Sequence, residues 1–401
     1  MSKKSIRFLK NLAKETQKSY NQAIRKYENF HGMDIDTLIA EALNEQSNRT
    51  PLHELSVIDR IEDFQEHLVK QELTIGSIKL WVSKIKTIYH KNRVELPYLE
   101  PINPKKAKRR EYIEFKDILT KDELRKALSY MRPVAFAQAM CMIQGGLSLE
   151  ECEHLSYRKF IDELYPYHQC DNDIDALYWL AEPINPVIWV TKLIRVKTGK
   201  PYYCIIGAEA VNAIANAKLY EFGLKKYKHT DKLLTITKFG FSRRCKLINE
   251  QCGFGLVAEE SKFRSHMLRK FHATYIGGSA LSYDEQSIIS NAEIDEMQGR
   301  GKTNVQDTYI KTNPIRQKVL YAKVMNNVSL YHQYDYEIID DDVIIHLIDP
   351  NVETEKLRRE VQHLRKKIEK KEEASRKVDA LRKELGDDTF KEMIGEILNA
   401  S

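Results

Sequence analysis

Tyr309 follows Gly299 and Arg300 along a polar, basic stretch, GRGKTNVQDTYIK (299–311), that offers little apolar surface to bury. A phenol holds its proton up to a pKa near ~10, so it acts as a nucleophile only where fixed cations lower the cost of its oxyanion. Cations suited to that task precede it in order: Lys197 in VKTGK, His266 and Arg269 in HMLRKFHATYIGG, then Arg300. The competing reading makes Tyr309, one of 21 tyrosines, a helix-packing residue, His266 and Arg269 a helix-surface pair, and Lys197 a solvated turn cation. A lone His-x-x-Arg does not decide, since His90 and Arg93 share that spacing. The order of all the features decides.

Three kinds of element must position these residues. In TQKSYNQAIRKYENF, Tyr20, Ile24, Tyr27 and Phe30 share one helical face. In SIKLWVSKIKTIYHKN, Ile78, Trp81, Val82, Ile85, Ile88 and Tyr89 share another, with Lys79, Lys84 and Lys86 on the remainder. With a helix around EDFQEHLVKQE, residues 1–103 read as a small helical domain with a basic side. A basic linker, 104–111, carries Lys105, Lys106, Lys108, Arg109 and Arg110 beside Pro101 and Pro104; alone, such a run is as readily a solvated hinge as a phosphate contact.

The second domain is expected over 112–333. Thr120 with Glu123 three residues on predicts a capped helix. PVAFAQAMCMIQ predicts a buried helix that breaks near Gly145 and Gly146, and VIWVTKLIRVKTGKPYYCIIG predicts two strands around a Lys197–Lys200 turn. Helical signals then resume at Val211, Ile214 and Leu219. The expected tail, 334–401, is helical, with a short coiled-coil seam of Leu357, Val361, Leu364 and Ile368 and a second run out of phase with it. The fold class expected is therefore mainly α with a small β-sheet.

Composition bounds the class. The chain has 401 residues, 42% hydrophobic and 30% charged, enough for two or three folded domains. Its 64 basic against 58 acidic residues leave a net +6, too small alone to prove a polyanionic partner. Six cysteines without a CxxC pair point to free thiols in a reducing compartment and to no zinc site. No run approaches roughly 18 uninterrupted apolar residues and the first residues do not read as a signal peptide, so the expectation is a soluble, intracellular protein of the cytoplasm or nucleoid, off the membrane.

In this arrangement the chain resembles the tyrosine recombinases, the phage and archaeal virus integrase family, over roughly residues 14–320. HMLRKFHAT matches the family's H-x-L-R-H-x-x-A-T at His266, Leu268, Arg269, Ala273 and Thr274, and MQGRGKTNVQDTY matches its L-G-H motif and following tyrosine at Gly299 and Tyr309, with Arg300 where histidine is common. MIQGGLSLEECEHL aligns with the arginine helix through Gly146, Leu147, Glu151 and Leu155, leaving Ser148 at the first catalytic arginine. A hydroxyl cannot replace a guanidinium, so another cation, Arg158 or Arg300, must fill the place, or the chain is a crippled or engineered form, or it binds DNA without cutting it.

The resemblance implies a SAM-like core-binding domain ahead of a recombinase catalytic domain. It implies double-stranded DNA as partner, a homo-oligomer on it (a tetramer in the synapse), and a tail that docks on a neighbouring protomer. By resemblance, Tyr309 attacks a backbone phosphorus and holds the cut end as a 3′-phosphotyrosine, with no metal, ATP or other cofactor. Arg269 grips the non-bridging oxygens, Lys197 protonates the leaving oxygen, with Lys192 and Lys200 as rivals, and His266 and Arg300 add hydrogen bonds. A relaxing enzyme of the type IB topoisomerase kind would share this nucleophile.

Overall fold

The computed structural model describes residues 4–103, 105–108, 112–224, 230–277, 289–300, 313–339 and 342–348, in two compact units, Met1–Ile113 and Glu114–Ser401. Tyr309, Arg109, Arg110 and the coiled-coil seam lie outside the described residues.

The first unit is built from α1 (Lys14–His31), α2 (Ile35–Ser47), α3 (Ser56–Lys70) and α4 (Ile75–Lys91). The turn between α1 and α2 is set by two residues suited to helix ends. Gly32 takes the left-handed conformation, φ 65°, that ends α1, and the Asp34 carboxylate accepts from the Asp36 and Thr37 amides at the start of α2. The expected faces are the buried ones: Ile24 and Tyr27 on α1, and Ile78, Val82, Ile85, Ile88 and Tyr89 on α4. Tyr27 packs edge-on against Phe64, 5.0 Å between ring centres, and its hydroxyl lies 3.2 Å from that of Tyr89, so two buried phenols satisfy one another. Ala107 of the basic run packs into this core, and the Lys108 amide donates to the Leu73 carbonyl at 3.2 Å.

The second unit starts with α5 (Lys121–Leu128), closed by the Thr120/Glu123 capping box, and α6 (Pro133–Gln144). Alanines at 135, 137 and 139 make α6 thin enough to be buried on nearly every side, against α10 (Ala208–Phe222), α12 (Ser265–Ile276) and α14 (Pro314–Val328). Between α6 and α10 come α7 (Leu149–Cys152), α8 (Tyr157–His168), α9 (Asp173–Ala181) and an antiparallel hairpin, β1 (Trp189–Ile194) with β2 (Pro201–Ile206). The Arg195 and Gly199 main chain closes its turn, with Gly199 at φ 69°. Later come α11 (Lys238–Cys252), a short β3–β4 pair (Leu256–Val257, Glu260–Ser261) and α13 (Asn291–Met297).

One expectation is corrected at the start of the tail. Residues 333–339 and 342–348, expected from sequence to be helical, pair as the antiparallel strands β5 (Gln333–Ile339) and β6 (Asp342–Ile348). Alternating Tyr334, Tyr336 and Ile338 lie opposite Leu347, Ile345 and Val343, and Tyr334, Val343 and Ile345 are buried. Among the described residues no helix is long and apolar enough to cross a membrane.

Candidate active site

Glu151 is the floor of the site. It is buried, and its Oε2 accepts from the Ser148 amide at 2.7 Å and from Arg269 Nη1 at 2.9 Å. Ser148 in turn caps α7 by accepting from the Glu151 amide. The sequence Ser-Leu-Glu-Glu is thus a capping box whose acidic member also fixes an arginine from α12. Breaking a buried pair strands a charge, so neither partner has freedom to wander.

Gln298 is the second clamp. Its side-chain oxygen accepts from Arg269 Nε at 3.3 Å, its main-chain carbonyl accepts from Arg269 Nη2, and its amide nitrogen donates to His272 Nδ1 at 2.8 Å. Gln298 stands at the end of α13, where Gly299 takes φ 62°. A methyl at Gly299 would come within 2.8 Å of the Tyr202 ring on β2, and one at Gly146, φ 61°, within 2.6 Å of His272 Nδ1. Both glycines are therefore required by close approach as well as by conformation. Tyr202 lies under the site with its hydroxyl buried, and burial pushes its pKa upward.

Above this floor stand His266 and the cations around it. His266, open to solvent, has its pKa lowered by partial desolvation and then by Lys270, Arg264, Arg300 and Arg269. Arg300 is half-buried; desolvation and then Arg269 depress its pKa, Asp295 at 3.5 Å opposes them, and Arg195 adds a further lowering. Arg195 itself, just past β1, donates Nη1 to the Gln298 carbonyl at 3.3 Å and to that of Gly299. Mutually repelling cations held on a fixed frame are an arrangement that an anion would relieve.

Of the sequence candidates, Arg269, Arg300 and His266 come together in this field, while Lys197 is exposed in the hairpin turn. Lys192 is also exposed and Lys200 half-exposed. Arg158 is turned to another use: it bonds Asp162 at 2.6 Å and Asp173 at 3.2 Å on the surface of the α8–α9 region. Arg195, Gln298 and His272 were not singled out by sequence. On the first unit Lys79, Lys105, Lys106 and Lys108 are exposed and Lys86 half-exposed. Lys84 instead lies over the Tyr20 ring at 5.4 Å and donates to the Ser19 hydroxyl, with its pKa lowered by desolvation.

His272 gives a pH-dependence. It is fully buried, and desolvation followed by the Arg269 and Arg300 charges holds its pKa down from 6.5 to about 3. The unfolded imidazole takes up a proton below 6.5 and the folded one does not, so this group leaves stability intact above 6.5 and removes it as pH falls toward 3. The slope is about 1.4 kcal/mol per pH unit for this group alone. Denaturation at about pH 7 and about pH 5 should show His272→Gln losing less stability than wild type between them; an unchanged difference would exclude this origin.

No family model matches the chain, and no curated protein matches it. Among solved structures, it is similar to the crystal structure of XerA recombinase, at 17% identity and a TM-score of 0.31, over 80% of this chain and 95% of that one. It is also similar to the crystal structure of XerH site-specific recombinase bound to difH substrate in a pre-cleavage complex, at 12% identity and a TM-score of 0.37, over 64% of this chain and 67% of that one.

Proposed function

We propose that the chain is a site-specific DNA recombinase or integrase that cuts and rejoins strands through a 3′-phosphotyrosyl link at Tyr309. In this reading the Tyr309 oxygen forms a bond to phosphorus, the bond from phosphorus to the 5′-oxygen breaks, and Lys197 supplies the proton to the departing 5′-hydroxyl. The phenol proton passes to His266, whose pKa is lowered by desolvation and then by the neighbouring cations. Arg269 and Arg300 take the growing charge on the non-bridging oxygens, and the lysines of the first unit contact flanking phosphates. Several protomers, a tetramer by expectation, assemble on two duplexes.

The single observation supporting this most is the gathering of Arg269, Arg300 and Arg195 around residues 298–300, directly ahead of the segment that carries Tyr309. A second reading, a DNA-binding architectural factor, is favoured by one feature: Ser148 is engaged in capping and brings no charge. A pool of nicked duplexes randomised around the nick distinguishes them. Wild type should give a detergent-resistant protein–DNA adduct that Tyr309→Phe does not give. Salt-sensitive binding with no adduct from wild type would favour the architectural reading.

A further inference from the structure

We infer that Arg195 is the guanidinium that grips the scissile phosphate in the place that Ser148 leaves without a charge. The inference rests on the recombinase reading and names a residue of the same site. Ser148 has a short side chain already accepting the Glu151 amide, so it carries no donor fork toward an anion. Arg158, the other nearby arginine in sequence, is held by Asp162 and Asp173.

Arg195 meets the Arg269 guanidinium at one atom. Arg269 Nη2 and Arg195 Nη1 both donate to the Gln298 carbonyl oxygen, so the two charged groups lie within two hydrogen-bond lengths of each other. Arg269 has Glu151 as counter-charge and Arg300 has Asp295; Arg195 has no carboxylate partner among the described residues. Its Nη1 is occupied by the Gln298 and Gly299 carbonyls, while no partner for Nε or Nη2 occurs among the described residues. Nε and Nη2 form the edge that binds two oxygens of a phosphate side by side. The main-chain bonds hold the guanidinium still, and the adjoining arginines supply the field, so the group is preorganised for an oxyanion rather than for a neutral ligand.

A bond to two carbonyls would also suit a residue that only positions the 298–300 turn, and the test separates the two roles. The duplex sequence recovered from the covalent adduct is made with either a phosphodiester or a methylphosphonate at the scissile position, the latter lacking one anionic non-bridging oxygen. Arg195→Ala and Arg195→Gln should each slow adduct formation on the phosphodiester by about 10²- to 10³-fold, the cost of one preorganised oxyanion donor. On the methylphosphonate both should come within about tenfold of wild type, because less charge has to be met. Adding Ser148→Arg to Arg195→Ala should recover part of the phosphodiester rate. Equal losses on both linkages, rescue by the neutral glutamine, or no loss in either variant would overturn the assignment. Absence of any adduct from wild type would instead remove the recombinase reading on which it stands.

Discussion

Replacing Arg269 with alanine should reduce the rate of adduct formation by about 10³- to 10⁵-fold, the range for an arginine on a transferring phosphoryl group. The same change should lower stability by about 3–5 kcal/mol, because it leaves the buried Glu151 carboxylate without its cation. These two effects have different causes and can be parted. Glu151→Gln added to Arg269→Ala removes the stranded charge and should return most of the stability, yet none of the rate. The measurements are chemical denaturation of the full chain and single-turnover adduct formation on the recovered duplex. An Arg269→Ala protein that keeps its rate within about tenfold would show that this guanidinium meets no phosphate.

Glu209→Ala should be the most destabilising change away from the site. Glu209, in the first turn of α10, accepts from the amides of Leu330, Tyr331 and His332 at 2.8, 2.6 and 2.8 Å and from Gln144 Nε2 at 3.0 Å. One carboxylate thereby ties the chain beyond α14 to the end of α6. Each buried donor left without an acceptor costs about 1–3 kcal/mol, and water entering the space offsets part of the sum, so a loss of about 3–6 kcal/mol is expected. The denaturation midpoint of the full chain reads it. A loss below about 1 kcal/mol would mean these amides find other acceptors. The functional consequence runs through α14, which follows the Tyr309 segment and is anchored from its far end by this knot.

Local chemistry made much of the fold legible. Thr120 with Glu123, the buried face of α4, the glycine break after α6 and the Lys197 turn all depend on residues within one or two turns of each other, and the structure shows each. Ser148 with Glu151 carries the same capping signature, and the structure shows that box as well. Residues 333–339 and 342–348 depart from the expected helix because the alternation of Tyr334, Tyr336 and Ile338 marks a strand that a helical reading carried over from the flanking segments overrides.

What sequence could not supply was long-range convergence. Arg195 lies 103 positions from Gln298, and nothing within VKTGK or its flanks announces that the two meet. His272 was visible as a histidine, but its burial follows from Gly146 lying against its ring. Gln298 offers no charge or repeated spacing to notice, yet it contacts Arg269, Arg195 and His272 together.

Mass spectrometry of the trapped adduct after nuclease and trypsin digestion locates the nucleophile directly. A nucleotide remnant is expected on the tryptic peptide TNVQDTYIK, residues 303–311, attached at Tyr309. A remnant on any other residue, or a wild-type protein that never forms a covalent bond to DNA, would contradict it.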